Sequence, residues 1–144
     1  MVMEQGTLTA IEKVIFLKSV DIFSRATIEE LGRVAALTEE VHFEPGETIF
    51  REGEPVDAIY LVLKGRVAVE GNGQVVREVG EKQALGTVAA LDRNPAIQTV
   101  KAIDAVYALK LNAQDLQDLL SLDFELVQAV IRALCQLVRE FAGR

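Results

Sequence analysis

The sequence predicts a mixed α+β domain that is mainly β: a jelly-roll β-roll, or double-stranded β-helix, flanked by N-terminal and C-terminal helices. Apolar residues recur at helical spacing near both ends of the chain and alternate with polar residues in its middle, and turn residues divide that middle into short segments. A chain of 144 residues suits one domain. We therefore assign helices to residues 7–37, the β-roll to 38–111 and further helices to 112–142.

Two short helices are predicted before the β-roll. The segment from Thr7 to Leu17 has apolar residues near helical spacing, at Leu8, Ile11, Ile15 and Phe16. Thr27 and Glu30 have the spacing of a capping box, in which two side chains satisfy the first N–H groups of a helix. The second helix is expected to offer a core face made of Ile28, Leu31, Val34, Ala35 and Leu37.

From residue 38 onward the pattern changes to the alternation of half-buried strands. The apolar positions of this pattern are Val41, Phe43, Ile49, Ile59, Leu61 and Leu63. Turns are predicted at residues 44–47 and 71–73, where Pro fixes φ and Gly and Asn tolerate positive φ. Further strands are expected over Gln74–Val79 and over Gln98–Leu111, the latter broken near Asp104. Many short strands with regular turns are typical of a jelly roll.

The last third of the chain is predicted to be helical. Asn112 begins one helix, with Asp115 at its third position, and a final helix runs from about Asp123 to Phe141. The final helix has an apolar stripe formed by Val127, Val130, Leu134, Leu137 and Phe141 and widened by Ile131 and Val138. This pattern suits either packing on the chain's own β-roll or a seam between two copies of the chain. Cys135 is interpreted as a small buried apolar residue.

Composition narrows the classes of partner. The net charge is −7, from 22 acidic and 15 basic residues, and no Lys/Arg cluster occurs, so we do not expect this chain alone to bind DNA. The sequence has no run of eighteen apolar residues and no secretory signal pattern at its start. A single cysteine excludes an intramolecular disulfide and fits a cytoplasmic location.

The stretch from Gly80 to Val100 is the most informative part of the chain. A helix is predicted to begin at Thr87, so that the backbone N–H groups of Thr87, Val88 and Ala89 point into one small concavity. The free N–H groups and positive dipole of a helix start favour an anion. This stretch therefore predicts a cradle for a phosphate.

Residues 85–91 and 95–100 resemble the phosphate-binding cassette of the cyclic-nucleotide-binding domain family, which includes the catabolite activator protein and the regulatory subunit of cAMP-dependent protein kinase. Residues 43–53 and 57–67 are similar to the first strands of that family, and the resemblance extends from about Phe16 to Arg139. It implies a β-roll and a non-catalytic regulatory or sensor function in signal transduction. It also implies a ligand site formed by Leu85, Gly86, Thr87, Val88, Ala89, Pro95, Ala96, Ile97, Gln98 and Thr99.

The cassette departs from the family at two positions. The family has a glutamate that accepts a hydrogen bond from the ribose and an arginine that pairs with the cyclic phosphate, and this chain has Thr87 and Ala96 there. A hydrogen bond to a charged group contributes about 1.5–3 kcal/mol, so each loss weakens binding roughly ten- to a hundredfold. We therefore expect a degenerate cassette that does not hold cAMP or cGMP through the usual contacts, and no resident cofactor.

Three interpretations of the cassette remain open. The site could be closed or apolar; it could bind a cyclic nucleotide or another small anion in an altered mode; or the chain could be a structural domain that dimerises or binds a partner. An altered mode would rely on the backbone N–H groups at the helix start and on the Thr87 and Thr99 hydroxyls, with Arg93 or Lys82 as a cation. Ile97 and Gln98 would partly fill the cradle. The chain could also be part of a larger multidomain protein.

Other chemistry finds little support in the sequence. His42 is predicted to face outward between Val41 and Phe43, and one histidine with one cysteine cannot build the usual metal, haem or iron–sulfur sites. The carboxylate pairs at residues 29–30 and 39–40 are interpreted as solvated charges. We therefore expect no metal site and no enzymatic activity.

Overall fold

The computed structural model describes residues 8–143. Five helices and a 3-10 turn at Asp21–Phe23 are present in this range, the helices being α1 (Ala10–Lys18), α2 (Ile28–Ala35), α3 (Thr87–Asp92), α4 (Ala113–Leu122) and α5 (Phe124–Ala142). The strands are β1 (Thr38–Phe43), β2 (Thr48–Phe50), β3 (Ala58–Lys64), β4 (Val67–Gly71), β5 (Gln74–Val79), β6 (Ala84–Leu85), β7 (Thr99–Ala102) and β8 (Val106–Asn112).

The strands form two antiparallel four-stranded sheets, in the orders β1-β8-β3-β6 and β2-β7-β4-β5. Side chains from both sheets, such as Val62 and Val106 of the first and Val69 and Val100 of the second, form one buried cluster between them. Successive residues of a strand point to opposite faces of the sheet. Ile59, on the same strand as Val62, points to the other face and belongs to the core under the helices. The predicted β-roll with flanking helices is confirmed.

A second core lies between the first sheet and the helices. Leu17 of α1, Leu31 of α2 and Leu126 of α5 are fully buried in it. α1 and α2 begin with capping boxes, and the one predicted for Thr27 and Glu30 is confirmed. The terminal helices are thus held to the β-roll by burial, and their starts are fixed by local hydrogen bonds.

The predicted apolar faces of the first two helices are partly wrong. Thr7 lies outside the described residues, α1 begins at Ala10, and Ile11 and Ile15 are exposed while Leu17 is buried. α1 has apolar residues on two sides, so the sequence period could not identify the side that packs. Ile28 is also exposed, because it is the first residue of α2; the rest of the predicted face is buried or packed on the core, at Leu31, Val34, Ala35 and Leu37.

Two predictions about single side chains are also wrong. Glu30 is buried, not solvated, because its carboxylate accepts a hydrogen bond from the Thr27 N–H at 2.8 Å and so closes the capping box. Cys135 is exposed, not buried. α5 packs through Leu126 and Val130 on a different side of the helix, and this leaves the cysteine facing outward.

The starts of the C-terminal helices agree with the sequence. The Asn112 side chain accepts from the Asp115 N–H at 3.0 Å, and Asp123 accepts from the Leu126 N–H at 3.0 Å. The bond from the Leu126 N–H is the largest cause that lowers the pKa of Asp123, followed by the bond from Arg33 at 2.7 Å. Among residues 8–143, no helix is long and apolar enough to cross a bilayer.

Candidate functional site

A cavity of about 160 Å³ lies beside α3, within the mouth of the β-roll. β2, β4, β5, β6 and β7, the start of α3 and the loop before β7 all contribute to its walls. The lining is largely apolar and consists of Phe50, Val69, Arg77, Ala84, Leu85, Gly86, Thr87, Val88, Ala89, Ala96, Ile97, Gln98 and Val100. Its volume is below the roughly 300–1,000 Å³ of pockets for drug-sized ligands.

Gly86 makes the sharp turn from β6 into α3. Its φ is +83°, a left-handed value that favours glycine, and a Cβ there would lie 3.0 Å from Val56 Cγ1 and 3.2 Å from the Ala58 carbonyl oxygen. The helix then begins at Thr87, as predicted. The first N–H groups of a helix have no intrahelical acceptor, and no side chain within residues 8–143 caps those of α3 beside the cavity.

Most of the predicted cassette residues lie around this one cavity, but two do not. Eight of the ten predicted residues are among its lining, and Pro95 and Thr99 are not. Pro95 lines a neighbouring surface depression with Arg93. The Thr99 hydroxyl oxygen accepts a hydrogen bond from the Glu52 N–H at 3.0 Å. Binding of a ligand by the cassette residues stays a prediction.

The loop at Ala96 is tightly held. Ala96 is only 4% exposed; its N–H donates to the Glu54 carbonyl at 2.9 Å, and its carbonyl accepts from the Gly53 N–H at 2.8 Å. Its neighbour Ile97 lines the cavity but is 71% exposed. Ile97 therefore lies at the mouth and does not fill the interior.

The structure brings a different cation to the cavity than the two considered from the sequence. Arg93 donates to Gln114 Oε1 at 2.8 Å and lies outside the cavity, and Lys82 is not among the lining residues. Arg77 on β5 lines it. The sequence contains a signal for this placement, because Arg77 is two residues before Val79 and a strand places such residues on the same face.

His42 has no chemical partners that would make it a metal or catalytic site. It is half-buried on β1, its ring centre lies 4.8 Å from that of Tyr107, and its Nδ1 lies 3.6 Å from Glu44 Oε1. Within the described part of the chain, no group of three or more His, Cys, Asp or Glu residues could hold a metal ion.

The comparisons with known proteins agree on one family. The family described as "Cyclic nucleotide-binding domain" matches residues 40–123. The chain is 30% identical over 112 residues to a cAMP-dependent protein kinase regulatory subunit of Dictyostelium discoideum, covering 72% of this chain and 32% of that protein. It spans only 21% to 32% of the length of the first curated relatives it matches.

Two solved structures extend this similarity to the fold. The N-terminal domain of a transcriptional regulator from Streptomyces coelicolor is 28% identical, with a TM-score of 0.75 over 89% of this chain and 92% of that one. The regulatory subunit of a cAMP-independent protein kinase A from Trypanosoma brucei is 27% identical, with a TM-score of 0.74 over 90% of this chain and 47% of that one. The chain therefore belongs to the cyclic nucleotide-binding domain family.

Proposed function

We propose that this chain is a non-catalytic regulatory or sensor module whose cavity does not hold cAMP or cGMP through the glutamate and arginine contacts of its family. The observation that carries the proposal is the chemistry of the cavity wall at Thr87 and Ala96. A hydroxyl and a methyl group stand at these two cavity-lining positions. Neither can replace the charge-assisted bonds that a cyclic phosphate and its ribose would otherwise receive.

The size of the expected loss follows from hydrogen-bond energetics. A bond to a charged group is worth about 1.5–3 kcal/mol, and two such losses together weaken binding by roughly a hundredfold or more. The start of α3 returns only about 0.3–2 kcal/mol to an anion. The dissociation constant for a cyclic nucleotide is therefore expected near the millimolar range.

The Trypanosoma brucei relative supports this proposal by analogy. Its regulatory subunit is described as belonging to a cAMP-independent kinase. A variant of it with three substitutions, one of them threonine to arginine, is described as bound to cAMP in one site. We infer that the same fold can serve a regulatory protein that does not respond to cAMP.

Isothermal titration calorimetry of the chain with cAMP and cGMP tests the proposal. We expect dissociation constants near millimolar, and a titration with 5′-AMP provides the control for nonspecific nucleotide binding. A low-micromolar constant for either cyclic nucleotide would overturn the proposal. The variant Thr87→Ala should leave the weak binding unchanged within severalfold, because no charged contact is removed.

The comparisons and the composition also support proposals about catalysis, domain context and location. The matching family is a cyclic nucleotide-binding domain, and the Dictyostelium relative is a kinase regulatory subunit. We propose on this basis that the chain has no catalytic activity of its own. Because it spans about a third or less of its first curated relatives, we propose that it acts as one domain of a larger protein. A location in the cytoplasm fits its single cysteine.

A second candidate function is homodimerisation through α5, and the exposed side of that helix favours it. The apolar stripe on this side, called the exposed stripe, has residues spaced three, four, three, four and three apart and consists of Phe124, Val127, Ile131, Leu134, Val138 and Phe141. Val127 and Leu134 in it are half-buried, and Leu134 also contacts the core. Four of these side chains are between 52% and 76% exposed. The spacing is that of a coiled-coil seam, so we propose a second copy of this chain as the occupant.

The exposed stripe differs from the interface predicted from the sequence. Val130 is buried in the core of its own domain, so it cannot contact a second copy, and Leu137 is half-buried. Ile131 and Val138 instead lie on the stripe. Val127 and Leu134 are half-buried as well, and together with the exposed Phe141 they are the predicted members that lie on the stripe.

Analytical ultracentrifugation tests the dimer. Ile131→Glu should shift a wild-type dimer to monomer, because a carboxylate would be buried at the centre of the seam. Gln136→Glu is the matched control: it adds the same charge to the same helix at an exposed position off the stripe. A wild-type chain that sediments as a monomer at every concentration would exclude this function.

A further inference from the structure

Arg77 is the single charged side chain among the described residues that line the cavity. The other polar side chains of the lining are Thr87 and Gln98, and no carboxylate faces the space. An apolar cavity with one cation at its wall has a defined electrostatic preference. It favours a ligand that is mostly apolar and carries one negative charge.

The strand pairing explains why this arginine reaches the cavity. β5 is an edge strand, and Arg77 pairs with Val69, a buried residue that lines the same cavity. The next residue, Glu78, pairs with Ala68 and accepts a hydrogen bond from Arg66 at 3.0 Å on the outer side. Alternation along β5 therefore separates the two charges onto opposite faces.

The guanidinium of Arg77 has no hydrogen-bond or ion-pair partner within residues 8–143. Arg66 on the neighbouring strand, in contrast, contacts both Glu78 and Asp104. The side chain of Arg77 is exposed on an edge strand, which places its charge at the rim of the cavity. It is thus available to pair with an anion without giving up an internal bond.

We propose that the cavity takes a small organic monoanion with an apolar body, whose carboxylate pairs with Arg77 at the rim while the body contacts Phe50, Leu85 and Val100. The inference rests on the proposed function only in taking this cavity as the ligand site. A volume of about 160 Å³ suits a single ring or a short alkyl chain. The negative charge of the ligand is thus recognised by a residue of β5 and not by the loop at Ala96.

Benzoate and its neutral analogue benzamide are matched probes for this site. We expect benzoate to bind about two- to fivefold more tightly than benzamide, because Arg77 is exposed at the rim and solvent screens its charge. Benzoate should also shift the backbone amide NMR signals of Val69, Gly86 and Thr87. Arg77→Gln should reduce the affinity for benzoate to that of benzamide, because the preference for the anion comes from the charge of this one side chain. Raising the salt concentration should weaken benzoate binding and leave benzamide binding unchanged.

Arg93→Gln is the control, because it removes the same charge from a side chain near the cavity but outside it. It should leave benzoate affinity unchanged. The inference is overturned if benzoate does not bind, if benzoate and benzamide bind equally, or if Arg77→Gln behaves as the wild type.

The failures of the two proposals are distinguishable. A low-micromolar affinity for cAMP that is lost in Arg77→Gln would overturn the proposed function and would support Arg77 as the anion partner. Weak cAMP binding together with equal affinities for benzoate and benzamide would leave the proposed function standing and overturn the assignment of Arg77.

Discussion

Replacing Ala96 by arginine is expected to give this chain a usable affinity for cAMP. Ala96 lines the cavity and its backbone is fixed by two hydrogen bonds to residues 53 and 54. An arginine there would start from a rigid position and extend its side chain along the cavity. Its guanidinium would then supply the bidentate partner that a cyclic phosphate prefers.

The expected gain in cAMP affinity follows from one added charged contact. About 1.5–3 kcal/mol corresponds to a gain of roughly ten- to a hundredfold over the wild type. Because Ala96 is 4% exposed, the larger side chain should also lower the free energy of unfolding of the empty protein by about 1–3 kcal/mol. Saturating cAMP should recover part of that loss, since a ligand stabilises the state that binds it.

Calorimetry gives the affinity, and thermal unfolding with and without cAMP gives the linked stabilisation. Asn94→Arg is the matched control, because it adds the same charge at an exposed position that is not part of the cavity lining. If Ala96→Arg folds but binds cAMP no better than Asn94→Arg, the missing cation is not what limits binding.

Three further predictions concern the scaffold. Leu126→Ala should lower the free energy of unfolding by about 2–5 kcal/mol, because this buried side chain packs α5 on the core, while Ile11→Ala on the exposed side of α1 should change it by less than about 0.5 kcal/mol in urea unfolding. Gly65→Ala should lower the free energy of unfolding by roughly 3 kcal/mol or more, and the thermal midpoint with it, because φ is +101° and the new Cβ would overlap the Ala105 carbonyl oxygen. An unchanged midpoint would contradict this geometry. The pKa of Asp123 is lower in the folded state than its unfolded value of about 3.9, so the stability that the carboxylate contributes is present above that value and is lost as the pH falls through the folded pKa. Asp123→Asn keeps a cap acceptor and should lose less stability than the wild type between neutral and acidic pH. Equal losses in the two proteins would show that Asp123 does not cause the pH dependence.

The sequence predicted the order and type of the elements because their signals are local. The capping box at Thr27, the helix starts at Thr87 and Asn112, and the strand Gln74–Val79 each depend on a few neighbouring residues, and each is found as predicted. The break near Asp104 separates β7 from β8. Turn and cap chemistry fixes such boundaries with little help from the rest of the fold.

The faces of the helices could not be predicted because they depend on tertiary packing. α5 is apolar on two sides, so the spacing of its apolar residues fits both the side packed on the core and the exposed side. For this reason the sequence places Cys135 on the buried side, whereas it is exposed. α1 presents the same ambiguity with Ile15 and Leu17. Choosing between two apolar stripes requires the position of the partner elements.

The sequence predicted which segments form the cavity, but it did not predict the residue that gives the cavity its positive charge. Residues 85–89 and 96–98 are contiguous motifs that line it. Arg77 comes from another strand, and its contribution depends on the register that pairs it with Val69. A motif search within one segment considers nearby cations such as Arg93, which the fold directs toward Gln114.

We propose that the cavity has the shape of its family's ligand site without the contacts that select a cyclic phosphate. A crystal structure of the wild-type chain after soaking in about 0.1 mM cAMP tests it most directly, because a millimolar dissociation constant permits roughly one tenth occupancy or less at that concentration. We expect no ordered cyclic phosphate between residues 86–89 and 96–98. A fully occupied nucleotide there, with its phosphate bound by any cation of the chain, would contradict it.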